Sequence, residues 1–182
     1  MKTGLITPQG TDSFKADTWQ KVYEDTLASA QTSITISDLD GNTDVMYRLV
    51  VRQILGASNT GINLRINNDS TADIYGFQRL MAHNTTISAS RNTESGMNLY
   101  YTGTGSVGNI HFLDVNLYAK SGYVRTLLTS TIEQVSGTTV DGIILKPYSW
   151  NNIVDNVVSL VIYSNTNGLG IGTYLKLEKL NL

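Results

Sequence analysis

From Ile62 to Asn67 the chain alternates apolar and polar residues at every step, Ile-Asn-Leu-Arg-Ile-Asn. Side chains on a strand point to opposite faces in turn, so this phase predicts Ile62, Leu64 and Ile66 in a core and Asn63 and Arg65 towards solvent or an interface. The same grammar recurs along most of the sequence. Strands are predicted at Ile34–Ile36, Tyr47–Leu55 (with Arg48 and Arg52 on one side), Tyr75–Leu80, Thr86–Ser90, Met97–Tyr101, Ile110–Ala119, Tyr123–Thr129, Thr131–Val135 and Gly142–Lys146. Trp19–Leu27 fits either a helical stripe or one face of a strand, and its context favours strand. Two closing strands, Val157–Tyr163 and Thr173–Leu180, flank a glycine-bearing loop. In the last of them Leu175, Leu177 and Lys179 share one face, and Tyr174, Lys176, Glu178 and Leu180 the other. With the sequence ending there, no lid or tail is expected after it.

Between these runs stand clusters of Ser, Thr, Asn, Asp and Gly at the spacing expected of turns. About ten to twelve short strands without a confident helix predict an all-β fold. The expected form is an antiparallel β-sandwich, jelly-roll-like. An alternating parallel α/β fold lacks its crossover helices. Residues 1–18 mix Gly, Pro, Thr, Ser and Asp without periodicity and read as a short N-terminal arm, leaving 19–182 as a single β-sandwich domain. No steady internal repeat or low-complexity linker supports a further domain.

Composition narrows the function classes. The 182 residues suffice for one sizeable core. Charged residues make up only 15% and the formal charge is −2, so no basic field is available to hold nucleic acid or an anionic membrane. No apolar run approaches a membrane span, and the N-terminus lacks the apolar stretch of a signal peptide. Cysteine is absent, which excludes disulfides and thiolate metal sites.

Candidate chemistry is sparse. Asp38, Asp40, Asn42 and Asp44 have the every-other-residue oxygen spacing of a calcium loop. The turn glycine is replaced by Thr43, however, and Leu49 stands where the bidentate glutamate belongs, so an acidic β-loop without metal is expected. Gly103-Thr104-Gly105-Ser106-Val107-Gly108 matches a dinucleotide fingerprint by letter, but a strand rather than a helix follows, which points to a hairpin turn. Gly168-Leu169-Gly170-Ile171-Gly172 reads as a flexible turn. The two histidines, His83 and His111, have no partner at hydrolase or metal spacing, and His111 fits a strand-surface position. No serine lies in a nucleophile elbow, and nothing selects a carboxylate pair for sugar hydrolysis. No catalytic, cofactor-binding or metal residue is assigned, and an enzyme is not expected. Ten tyrosines and two tryptophans suit strands and interfaces and could also stack on sugars.

The order of several features resembles a family of virion structural proteins of tailed bacteriophages. It runs from the Trp19–Leu27 strand through Ala28-Ser29-Ala30-Gln31-Thr32-Ser33 into Ile34-Thr35-Ile36. Tyr47-Arg48-Leu49, Leu64-Arg65-Ile66-Asn67-Asn68-Asp69-Ser70 and Tyr75-Gly76-Phe77 follow. Late in the chain stand Trp150-Asn151-Asn152, a Val/Ile strand and a glycine turn before Tyr174-Leu175-Lys176-Leu177. The resemblance implies a jelly-roll domain located on the virion, as capsid decoration (cement) or as a tail or fibre part, without catalytic residues or cofactors. It implies as partners other copies of the chain, with a cyclic homotrimer expected, and major capsid or tail proteins. A single domain without coiled-coil heptads has little means to project far, which favours decoration. The alternative is a tail-fibre or receptor-binding tip with the character of a carbohydrate-binding module, holding a surface glycan.

Overall fold

The computed structural model describes residues 18–58, 60–100, 105–136, 139–164 and 166–181. The expected arm therefore lies outside the described residues except for Thr18. Among the described residues twelve strands run in chain order as β1 (Thr18–Thr26), β2 (Ser33–Ile36), β3 (Met46–Ile54), β4 (Asn63–Ile66), β5 (Tyr75–His83), β6 (Thr86–Glu94), β7 (Met97–Asn98), β8 (Ile110–Tyr118), β9 (Arg125–Ser136), β10 (Thr139–Trp150), β11 (Leu160–Tyr163) and β12 (Tyr174–Asn181). They form a jelly-roll-like sandwich of two antiparallel sheets. The larger has eight strands in the order β1-β12-β3-β8-β9-β10-β5-β6, and the smaller has four, β2-β11-β4-β7.

The core lies between the sheets, where one parity of each strand points inward. Ile62, Leu64 and Ile66 are buried as the alternation predicts, and they meet Leu49, Val51, Leu113, Val115, Leu175 and Leu177 from the large sheet. The two closing strands are neighbours in sequence but not in space: β11 belongs to the small sheet and β12 to the large one.

Several boundaries differ from the sequence reading. Thr129-Ser130-Thr131 does not break the chain, and the two strands expected around it fuse into β9. Thr129 and Thr131 are buried and donate their hydroxyls to the carbonyls of Lys146 and Leu99, at 2.8 and 2.7 Å, which satisfies them inside a strand. Pro147 does not end β10. It pairs with Leu128 of β9, while the ladder to β5 runs from Leu145↔Leu80 to Tyr148↔Phe77 and skips Lys146 and Pro147. The missing proline N–H is thus accommodated in a local gap of the sheet. β5 and β6 extend beyond their expected ends to His83 and Glu94, β7 shortens to Met97–Asn98, and β11 starts at Leu160 rather than Val157.

The expected loop Asp38–Asp44 holds one helical turn, α1 (Gly41–Asp44), capped by Asp40. The Asp40 carboxylate accepts from the Thr43 hydroxyl at 2.7 Å and from the Asn156 amide at 2.9 Å, and Asp44 accepts from Tyr47 at 2.6 Å and Lys179 at 2.7 Å. These oxygens tie the loop to three other segments. The Gly168–Gly172 turn is also anchored rather than flexible: Leu169 is fully buried and bridges both Gln31 and Leu55. Glycine is required at Gly170, where a Cβ would sit 2.7 Å from the Ile54 carbonyl oxygen.

Candidate interaction surface

Residues in register on neighbouring strands share a face and a row. On the outer face of the large sheet one row runs Phe112↔Ile132↔Ile143↔Ala82↔Ile87, crossing β8, β9, β10, β5 and β6. The next row carries Asp114↔Ser130↔Leu145↔Leu80↔Ala89, and the one after it Asn116↔Leu128↔Pro147. These side chains are in the open: Phe112 is 42% exposed, Leu128 54% and Ile87 77%, with Ile132, Ile143, Leu145 and Leu80 between 42% and 52%. Single exposed apolar residues are ordinary on any surface, whereas a contiguous field across five strands marks a contact surface. Between β10, β5 and β6 the field hollows into an apolar groove of about 170 Å³ lined by Leu80, Met81, Ala82, Ile87, Ile143 and Leu145.

The other half of the same face is polar. Beyond Phe112 its row continues to Arg52 and Tyr174, and the Asn116 row continues to Arg48 and Glu178. Arg48 holds Asp114 in a bidentate pair, its Nη2 2.6 Å and its Nε 3.0 Å from the carboxylate oxygens. Lys176 pairs with Glu178 at 2.5 Å, Lys21 with Glu24 at 2.8 Å, and Tyr174 donates to Glu24 at 2.7 Å.

The inner face beneath the apolar field is correspondingly polar. His111, expected at a strand surface, is instead 2% exposed and stacks on Tyr100 with ring centroids 4.3 Å apart. Strand alternation makes this the counterpart of Phe112: with Ile110 and Phe112 outside, His111 must point in. Burial pushes its pKa down to about 4, so the imidazole is neutral near pH 7. Lys146 is buried as well, with its ammonium 3.9 Å from the Phe77 ring centroid and 4.9 Å from that of Tyr148. It donates to the Asn98 carbonyl at 3.0 Å, and the Tyr148 hydroxyl donates to the same oxygen at 2.7 Å. Both therefore hold the β7 end of the small sheet down on β10. Burial lowers the Lys146 pKa to about 8, opposed by the Glu94 carboxylate 3.6 Å away.

Beside this cluster, where the β10–β5 ladder opens at Pro147, lies an open recess of about 640 Å³ whose walls include Phe77, Asn92, Arg91, Thr93 and Tyr148. His83 closes β5, its Nε2 3.8 Å from Asp141; it shares a cross-strand row with Glu133 and His111 but stands three strands from His111. Among the described residues no three His, Asp or Glu side chains gather in a way that could hold a metal ion. Of the Gly103–Gly108 motif, residues 103 and 104 lie outside the described set; Val107 and Gly108 form a turn with Gly108 at φ +87°, and β8 follows. Among the described residues no helix is long and apolar enough to cross a membrane.

The apolar field escaped the sequence reading although a signal for it is present. In β8, β9 and β10 apolar residues occupy both parities, as in Ile110, Phe112, Leu113, Val115 and Leu117. A strand that is apolar on both faces is covered on both faces, or waits to be.

No family model and no curated protein matches the chain. Among solved structures, an alginate lyase, Aly36B, determined as a double mutant with an alginate tetrasaccharide, is similar over 86% of this chain and 78% of that one, at 12% identity and a TM-score of 0.31. A likeness at that level carries no argument about function.

Proposed function

We propose that the chain is a non-enzymatic assembly protein that attaches to a larger particle, and to other copies of itself, through the outer face of its large sheet. The observation that carries this reading is the apolar field running from Phe112 to Ile87 on a domain whose other surfaces are rich in uncharged polar and paired charged groups. Such a surface is held by buried area and not by electrostatic steering. The setting comes from the sequence resemblance to virion structural proteins of tailed phages, within which capsid decoration fits a compact single domain better than a fibre. Its location is then the virion, with capsid or tail proteins as partners. The test is co-sedimentation of the purified chain with particles of the parent phage that lack it. Binding that Leu145→Asp abolishes while the fold survives supports the reading. Failure of the unmodified chain to bind overturns it.

One observation favours the second reading, a receptor-binding tip that holds a glycan. The open recess presents Phe77 beside Asn92 and Thr93, a ring and amide and hydroxyl groups of the kind that stack on and hydrogen-bond sugars. Glycan-array binding lost in Phe77→Ala, together with absent particle binding, would make this the leading reading.

A further inference from the structure

We infer that the occupant of the apolar field is a second copy of this chain, seated face to face about a two-fold axis with each Phe112 ring in the other copy's groove. The inference rests on the assembly reading above and names the partner of that surface.

Three observations converge on it. The groove of about 170 Å³ is lined almost wholly by aliphatic side chains. A cavity of about 150 Å³ with such walls accepts a benzene-sized ring. Phe112 is an exposed ring of that size, and it lies in the same cross-strand row as the groove residues Ile143, Ala82 and Ile87.

The row also fixes the symmetry. Phe112 stands on β8, and the groove is centred on β5, three strands away in the order β8-β9-β10-β5. A two-fold axis parallel to the strands, passing above the line between β9 and β10, exchanges β8 with β5 and β9 with β10 while leaving every residue in its own row. One operation therefore seats both Phe112 rings at once and lays Ile132 of each copy over Ile143 of the other. The contact is self-complementary and closes with two copies.

Charge agrees. An isologous contact brings like groups together near its axis, so a charged field there would repel itself. The positions that flank this axis, Ile132, Ile143, Ser130, Leu145, Leu128 and Pro147, carry no charge. Asp114, on β8 in the row of Leu80, falls over Leu80 of the other copy with its charge already neutralised by the bidentate Arg48 pair, and Arg52 of β3 falls over Ile87 at the edge of the contact.

Area agrees too. The four strands that the axis exchanges, β8, β9, β10 and β5, about 4.8 Å apart, and three rows about 6.8 Å apart cover on the order of 400 Å² with their side chains. The pair then buries on the order of 800 Å² of apolar field, the size of a weak, transient contact. A reversible, concentration-dependent dimer follows.

Sedimentation equilibrium of the full chain alone, over a wide concentration range, tests this. The expected species has twice the 19.9 kDa chain mass, and Phe112→Asp and Leu80→Asp each reduce it to a monomer with unchanged circular dichroism. Should both variants fail to fold, a chemical readout remains, because the chain has no native cysteine. Stacked sheets lie about 10 Å apart, which puts the two Ile132 positions about 11 Å from one another. Ile132→Cys should then form a covalent dimer with a short bis-maleimide, and Val154→Cys, on the loop after β10, should not. A monomer at every concentration, a trimer, or equal cross-linking at both positions overturns the inference. Particle binding that persists in such a monomer, and is lost in Leu145→Asp, would leave the assembly reading standing without it.

Discussion

The two halves of the outer sheet face are built on the same ladder, yet their side chains do opposite things. On β1, β12 and β3 the exposed positions are Lys, Glu and Arg with their partners beside them, as in Arg48–Asp114 and Lys176–Glu178. On β9, β10, β5 and β6 the exposed positions include Ile132, Leu128, Ile143, Leu145, Leu80, Ile87 and Ala89, while Thr129, Thr131, Glu133 and Lys146, with His111 of neighbouring β8, have gone inside. The first half is finished as a solvent-facing surface. The second has the polarity of a strand pair turned inside out, which is how a sheet looks when something is meant to cover it. The buried polar groups are tolerated because they are satisfied, Thr129 and Thr131 by carbonyls and Lys146 by Asn98 and two rings. His111 is an exception, since its Nδ1 has no hydrogen-bond partner among the described residues, and it stays neutral instead.

The largest effect tests which side of β8 is inside. Leu113→Ala removes a fully buried side chain and should cost roughly 2–5 kcal/mol by denaturant unfolding. A loss below about 1 kcal/mol would mean that the inner and outer parities are reversed, and the contrast between the halves would collapse.

Next comes the polar interior under the apolar half. The His111 pKa is about 4 in the folded chain against 6.5 for a free imidazole. Between those values the unfolded chain binds a proton that the folded chain does not. Stability is therefore full above about pH 6.5 and falls by roughly 3 kcal/mol as pH drops to about 4. Unfolding of the native chain and of His111→Leu at both pH values measures this, and the variant should lack that share of the acid loss. Equal acid loss in the two proteins would place His111 in solvent.

The charged half should respond weakly. The Arg48–Asp114 pair is partly exposed, 37% and 19% for the two side chains. A double-mutant cycle with Arg48→Ala and Asp114→Ala should give a coupling of about 0.5–1 kcal/mol that shrinks with added salt.

Smallest of all is Ile87→Ser. At dilutions where the chain is alone, its stability should move by no more than about 0.5 kcal/mol, because a side chain 77% exposed has little to lose. At high concentration, where association adds to the melting temperature, the same variant should melt lower than the native chain. Identical melting at both concentrations would reduce the apolar half to scattered surface residues.

Much of the fold was legible in the sequence because period-two patterning is a local property. The core assignment of Ile62, Leu64 and Ile66, the shared side of Arg48 and Arg52, and the shared face of Leu175 and Leu177 on the closing strand need no knowledge of the neighbours. Strand ends were less legible. Thr129-Ser130-Thr131 and Pro147 are turn-like by composition, and only the carbonyls of Lys146 and Leu99 and the gap towards β5 allow a strand to pass through them. The acidic loop read correctly as polar, but its helical turn and its ties to Asn156, Tyr47 and Lys179 join residues far apart in the chain.

The sequence by itself thus determined that this is an all-β chain, roughly where its strands lie, and which residues share a side of each. Which side faces in was settled only by tertiary structure where both parities are apolar, as in Ile110-His111-Phe112-Leu113. Alternation separates two faces without ranking them, and the choice is made by what each face meets. Leu113 and Val115 face the small sheet and form the core with Leu64 and Ile66, so His111 must follow them inward and Phe112 is left outside.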